Sequence, residues 1–222
     1  MANPYITPAL FRFFRELDKN NNRDWFQKNK SRYERTVRDP LLAFVSDFAP
    51  RLKRISPYLV ADSRPNGGAL FRIYRDVRFS KDKTPYKTHA GLRFPHEDGR
   101  NVHAPGYYLH LEPGSVFAGG GIWHPDGAVL RQVRNAIVAD PKGWKRATSR
   151  CTLGGDSLRK PPRGYDPEHP LISDLKRKDF VAYRLFTERE ACDGSFPRQF
   201  ADACRTMKPL MAFLTRAVGA DL

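Results

Sequence analysis

Apolar residues in the first quarter of the chain recur every three or four positions, which is the spacing of one helix face. A first helix is predicted to begin at Pro8, a residue that suits the first helical turn. Asparagines at positions 20–22 interrupt the pattern, and a second helix is predicted from Arg23. Pro40 restarts or kinks the chain before a third apolar stripe that continues to Ile55. This quarter is therefore predicted to be helical.

In the middle of the chain the pattern changes to an alternation of apolar and polar residues, the period of a half-buried strand. Strands are predicted over residues 70–79, 90–94, 106–111, 116–118 and 180–186. Residues 112–115 are predicted to form the turn between the third and fourth of these strands.

Helical spacing returns in the second half of the chain. Asp126 is predicted to cap one helix, and residues 143–149 are predicted to form a short one. Ser195 begins a C-terminal helix that contains Pro209, where a kink is expected. Residues 1–222 are therefore predicted to form a single α+β domain, with N- and C-terminal helices flanking a mostly antiparallel sheet.

The composition of the chain also predicts a cellular location and a class of ligand. The 222 residues carry a formal net charge of +15, which favours contact with polyanions such as nucleic acid, nucleotides or an anionic membrane. A basic surface without a specific ligand explains the same charge equally well. Three widely spaced cysteines suit a reducing compartment. Neither a signal peptide nor a membrane-spanning run is evident, so a cytoplasmic protein without membrane contact is expected.

The densest basic segment is residues 71–89, which contains six basic and two acidic residues. On a strand, alternate side chains would project from one face and then enter a loop rich in lysine and hydroxyl groups, which suits a phosphate site. The candidate ligand-binding residues are Arg72, Arg75, Arg78, Lys81, Lys83 and Lys87. The alternative is that Asp76 pairs with a neighbouring arginine and braces the sheet. Arg75, on the apolar face, distinguishes these two possibilities. If its side chain is buried and paired, it braces the structure, and if it faces a cavity, it binds the ligand.

His110 and Glu112 would share one strand face and are the candidate catalytic acid and base. Histidines 89, 103 and 124 could approach them in space, which would also suit a divalent ion. Their spacing matches no standard zinc motif, so no metal is assigned and the cofactor stays unknown. Polar, partly exposed histidines without a ligand are the alternative.

Two further features are ambiguous. Residues 142–163 form a second basic cluster of equal density, and we expect it on a solvated or nucleic-acid-facing surface. Glycines 119–121 precede a predicted helix without the lysine of a phosphate-binding loop. They suit either close approach of a ligand or a tight crossing from strand to helix.

Several segments together resemble an uncharacterised family, the domain of unknown function 2461, also called the conserved hypothetical 2453 group. The resembling segments are residues 21–26, 71–89, 106–126 and 161–165. The resemblance implies a single intracellular domain and supplies no activity, cofactor or catalytic residue.

The sequence therefore predicts a cytoplasmic protein with an Arg/Lys-lined site for a phosphorylated or anionic small molecule. If it is an enzyme, it would handle phosphate or catalyse a hydrolysis. The alternatives are a non-catalytic nucleic-acid-binding module that uses both basic clusters, and a scaffold protein without a ligand. The oligomeric state is left open.

Overall fold

A computed structural model of the chain describes residues 2–97 and 104–220. The N-terminal part is helical, as the apolar spacing predicts. It comprises α1 (Pro8–Lys19), α2 (Arg23–Tyr33) and α3 (Asp39–Ile55), with the π-helical turn Glu34–Arg38 joining α2 to α3. The Asn22 side chain caps α2 by accepting a hydrogen bond from the backbone N–H of Trp25.

A five-stranded antiparallel sheet forms the centre of the molecule. Its strands are β1 (Ala90–Phe94), β2 (Gly106–Glu112), β3 (Ser115–Ile122), β4 (Thr152–Gly154) and β5 (Phe180–Phe186). Their order across the sheet is β1-β2-β3-β5-β4. The predicted α+β class and antiparallel sheet are thus confirmed.

The remaining helices follow the β2–β3 hairpin. They are α4 (Gly127–Ala139), α5 (Pro141–Thr148), α6 (Ile172–Leu175), α7 (Glu188–Ala191) and α8 (Phe196–Ala217). Asp126 caps α4 as predicted, with its carboxylate accepting from the backbone N–H groups of Ala128 and Val129. Among the described residues, no helix has the length and apolar character needed to cross a membrane.

The two faces of the sheet differ because successive strand residues point in opposite directions. On one face Tyr107, Leu109 and Leu111 are buried in the core. The helices pack there, and the Tyr107 hydroxyl donates a hydrogen bond to the carbonyl of Cys204 in α8. Tyr108, His110 and Glu112 therefore lie on the opposite face, which we call the polar face.

Residues 70–79 are not a strand, which corrects the sequence prediction. Leu70 forms an isolated bridge with Leu92 of β1, but the chain then leaves the sheet edge and runs as a loop. Phe79 is 95% exposed, although the alternation placed it on a buried face. Period-2 spacing describes a strand only where a neighbouring edge offers hydrogen bonds, and here the described segment finds none beyond isolated bridges.

The three consecutive glycines lie within β3 rather than in a loop before a helix. A side chain at Gly120 would crowd the Tyr107 ring and the sulfur of Met207, so this position lets α8 pack closely on the sheet. Gly121 has a φ of 136°, which side chains rarely adopt. The glycine run is therefore required by packing and backbone shape, rather than by a phosphate loop.

Candidate functional site

The polar face carries a cluster of two histidines and one carboxylate. His110 and Glu112 point the same way from β2, as their spacing predicts, and His89 joins them from the residue just before β1. One ligand atom from each side chain can be chosen so that all three lie within 4.8 Å of one another. We call His89, His110 and Glu112 the triad.

The His110 ring is held from three sides. Its Nε2 lies 3.1 Å from Glu112 Oε2, and its Nδ1 lies 3.0 Å from the Tyr108 hydroxyl. A carboxylate only accepts, so Nε2 carries the proton and Nδ1 accepts from the tyrosine O–H. The Phe117 ring stacks on the imidazole with 4.7 Å between centroids. The ring orientation is thus fixed before any ligand arrives.

The other two members of the triad are also in contact with neighbours. The Thr88 hydroxyl donates to Glu112 Oε1 at 3.4 Å, which orients the second carboxylate oxygen. The His89 and His110 rings lie 4.5 Å apart between centroids. Two histidines and a carboxylate therefore bring three possible ligand atoms within 4.8 Å of one another.

Gly91 creates the space for Tyr108. It lies opposite His110 in the β1–β2 ladder, and a Cβ atom there would overlap the Tyr108 hydroxyl oxygen. The Tyr108 ring leans across this gap, and burial raises the pKa of its hydroxyl to about 12. The tyrosine therefore stays protonated and able to donate to His110 throughout the neutral range.

Burial also lowers the pKa of two groups on the segment that precedes β1. Desolvation, followed by the neighbouring His110, lowers the pKa of His89 to about 4. Desolvation and then the nearby Arg72 guanidinium lower the pKa of Lys87 below its usual range. His89 is therefore neutral at pH 7, and Lys87 is a cation that has lost part of its hydration.

The His89 pKa predicts a pH dependence of stability. The unfolded chain binds this proton near pH 6.5 and the folded protein near pH 4, so the unfolded state holds more protons between these values. The free energy of unfolding should fall as the pH decreases from 6.5 to 4. Urea unfolding across this range, with a chelator present, should show a shallower slope in His89→Gln. Equal slopes would contradict the assigned pKa.

Lys87 lies beside the triad on the same segment. Its Nζ donates to the backbone carbonyl of Arg72 at 2.9 Å and lies 5.4 Å from the centre of the Phe71 ring. Phe71 in turn contacts Tyr108, with 6.1 Å between ring centroids. Of the six predicted ligand-binding residues, Lys87 therefore packs on a ring that contacts Tyr108 beside the triad, and Arg72 supplies the backbone carbonyl that Lys87 bonds.

The other four predicted binding residues lie in the loop, and three of them bond within it. Arg75 pairs with Asp82 and Thr84 but is only partly buried, so it meets the pairing condition of the structural alternative and not the burial condition. Arg78 pairs with Asp76 at 2.7 Å. Lys83 donates to the carbonyl of Val77 at 3.0 Å, while Lys81 is exposed.

Asn21 positions the triad from a distance, and sequence reasoning missed this role. Its side chain accepts from the backbone N–H of Tyr86 and donates to the Tyr86 carbonyl, at 3.1 and 2.9 Å. The Tyr86 ring also stacks on Phe26 of α2, with 4.1 Å between centroids. The segment that carries Lys87 and His89 is thereby fixed to the N-terminal helices, and the asparagine run was the only signal.

Other predicted features lie elsewhere. His124 is 3.3 Å from Asp179 and outside the triad, and His103 falls outside the described residues. A cavity of about 420 Å³ lies where the Pro162–Tyr165 turn meets α4. Its charged lining consists of Arg131, Arg134 and Arg163. The second basic cluster thus contributes Arg163 to a concave surface, which the sequence did not indicate.

The fold and the site define an antiparallel α+β protein with a histidine–carboxylate triad on the polar face of its sheet. The chain belongs to the family described as conserved hypothetical protein (DUF2461), whose sequence profile matches residues 9–213. The predicted family membership is confirmed. A comparison with curated proteins finds no match.

Proposed function

We propose that the protein is a cytoplasmic hydrolase for a phosphorylated or otherwise anionic small molecule, with its active site at the triad. The observation that carries the proposal is the position of a partly desolvated lysine, Lys87, two residues before His89 on a segment fixed to the fold. An anion gains most from a cation that has already lost hydration. Three free cysteines support a reducing compartment.

The chemistry follows from the contacts of His110 and Glu112. Lys87 and Arg72 hold the anionic group of the substrate, and a water molecule binds beside Glu112. The water oxygen forms a bond to phosphorus while its proton passes to the His110–Glu112 pair. The bond from phosphorus to the leaving oxygen breaks, and the pair returns the proton to that oxygen. Inorganic phosphate and an alcohol are the products.

Calorimetric titration with inorganic phosphate and phenyl phosphate tests the binding role. Lys87→Ala should weaken binding about 10- to 100-fold, since a charge-assisted hydrogen bond contributes about 1.5–3 kcal/mol. Lys83→Ala is the matched control, because Lys83 also bonds a backbone carbonyl but lies in the loop, and it should bind as the wild type does. Equal weakening in both variants would indicate a general charge effect and refute the proposed site.

Nucleic-acid binding is the second candidate function, and one observation favours it. Phe79 is 95% exposed at the loop surface, and the Arg78 guanidinium lies 5.8 Å from its ring centre. An exposed aromatic flanked by cations can stack on a base. Such binding should weaken steeply with salt and require Phe79 but not Lys87. Fluorescence anisotropy with short single-stranded DNA and RNA measures this binding, and its dependence on salt and on Phe79 distinguishes a nucleic-acid-binding function from the hydrolase.

A further inference from the structure

We propose that His89, His110 and Glu112 form a binding site for a divalent transition-metal ion, with Zn²⁺ as the best match to the donor set. The inference deepens the proposed function and rests on it for its catalytic meaning. Metal binding itself is measured without any substrate, so the two proposals can fail separately.

The distances suit a shared ion. Zinc bonds to nitrogen and oxygen are about 2.0–2.1 Å, which places two ligand atoms of a tetrahedral site about 3.4 Å apart. His110 Nε2 and Glu112 Oε2 are already 3.1 Å apart. The widest separation in the triad is at most 4.8 Å. In the proposed site, a rotation of the half-buried His89 ring closes the remaining gap.

The outer contacts match those of metal-bound histidines, which normally hold the second ring nitrogen in a hydrogen bond. When Nε2 of His110 binds an ion, its proton moves to Nδ1, which then donates to the Tyr108 oxygen 3.0 Å away. Thr88 holds the other oxygen of Glu112. The neighbours therefore support both the metal-free and the metal-bound forms of the ring.

The donor types select the class of ion. Two imidazoles and one carboxylate suit zinc and related transition metals, whereas Mg²⁺ and Ca²⁺ prefer oxygen donors alone. Three protein ligands leave a fourth position for water, whose pKa a zinc ion lowers toward 7. The ion then takes over from the His110–Glu112 pair as the activator of water. The role of Lys87 in binding the anion is unchanged.

The test uses the full chain, stripped with a chelator and titrated with Zn²⁺ by calorimetry and with Co²⁺ by visible absorption. The wild type should bind one equivalent and give the intense absorption of low-coordinate cobalt. Tyr108→Phe should weaken Zn²⁺ binding about 10- to 100-fold. His89→Ala and Glu112→Gln should weaken it further, and circular dichroism establishes that each variant is folded.

His124→Asn is the matched control, because it removes an exposed histidine outside the triad and keeps the backbone hydrogen bond to Asp179. It should bind Zn²⁺ as the wild type does. The proposal is overturned if the wild type does not bind, or if folded His89→Ala and Glu112→Gln bind as tightly as the wild type. It is also overturned if His124→Asn loses binding equally. Phosphate binding that depends on Lys87 would survive any of these results.

Discussion

Replacement of Gly121 by alanine is expected to destabilise the protein by about 3 kcal/mol or more, because backbone strain and a steric clash act together. Gly121 has a φ of 136°, a conformation that strains residues with a side chain. The new methyl group would overlap the Phe180 carbonyl oxygen and lie 2.9 Å from Val181 Cα. Both are backbone atoms of β5, so the clash can be relieved only by displacing a strand.

Urea unfolding followed by circular dichroism measures the effect. Gly127→Ala is the control, since no atom of the described residues, apart from its chain neighbours and its own helix backbone, lies within 4 Å of the position its Cβ would take. Gly127 is also in the first turn of α4, where alanine favours the helix, so this variant should be as stable as the wild type or up to about 1 kcal/mol more stable. If the free energy of unfolding of Gly121→Ala lay within about 0.5 kcal/mol of the wild-type value, this account of the glycine run would be refuted.

Gly91→Ala is expected to disable the candidate site although it alters no residue of the triad. The added methyl group would overlap the Tyr108 hydroxyl oxygen and lie 3.0 Å from two carbons of its ring. The tyrosine must move, and His110 then loses the hydrogen bond that orients its ring. Zn²⁺ affinity should fall about 10- to 100-fold, with an overpacking cost of about 1–3 kcal/mol.

Gly119→Ala is the matched control for this variant. Gly119 lies opposite Tyr108 in the β2–β3 ladder, but the nearest atoms to its would-be Cβ are 3.8 Å away. It should keep wild-type zinc affinity, measured by the same titration. If Gly91→Ala also kept wild-type affinity while folded, the contact between Tyr108 and His110 would have no role in the site.

The sequence predicted the sheet well where apolar alternation coincides with a real strand. Residues 90–94 and 180–186 are β1 and β5 with the same limits. Residues 70–79 show similar alternation but form a loop, because the pattern reports side-chain type and not the presence of a neighbouring strand. Bonds such as Arg75 to Asp82 stabilise the loop instead.

Two of the three triad residues could be placed together from local sequence, whereas the position of the third could not. Period-2 spacing places His110 and Glu112 on one face, which the structure shows. His89 reaches them because Ala90 pairs with Leu111, and that register depends on strand pairing rather than on local sequence. The bonds between Asn21 and Tyr86 span 65 positions, so no local pattern indicates them.

The central claim is that an anionic ligand binds at the triad through Lys87. Nuclear magnetic resonance of the histidine ring nitrogens during a titration with inorganic phosphate tests it most directly. The account predicts that His89 and His110 shift together with one dissociation constant while His124 does not, and that Lys87→Ala moves both shifts to about 10- to 100-fold higher phosphate concentration. Phosphate binding that leaves His89 and His110 unshifted would contradict the account.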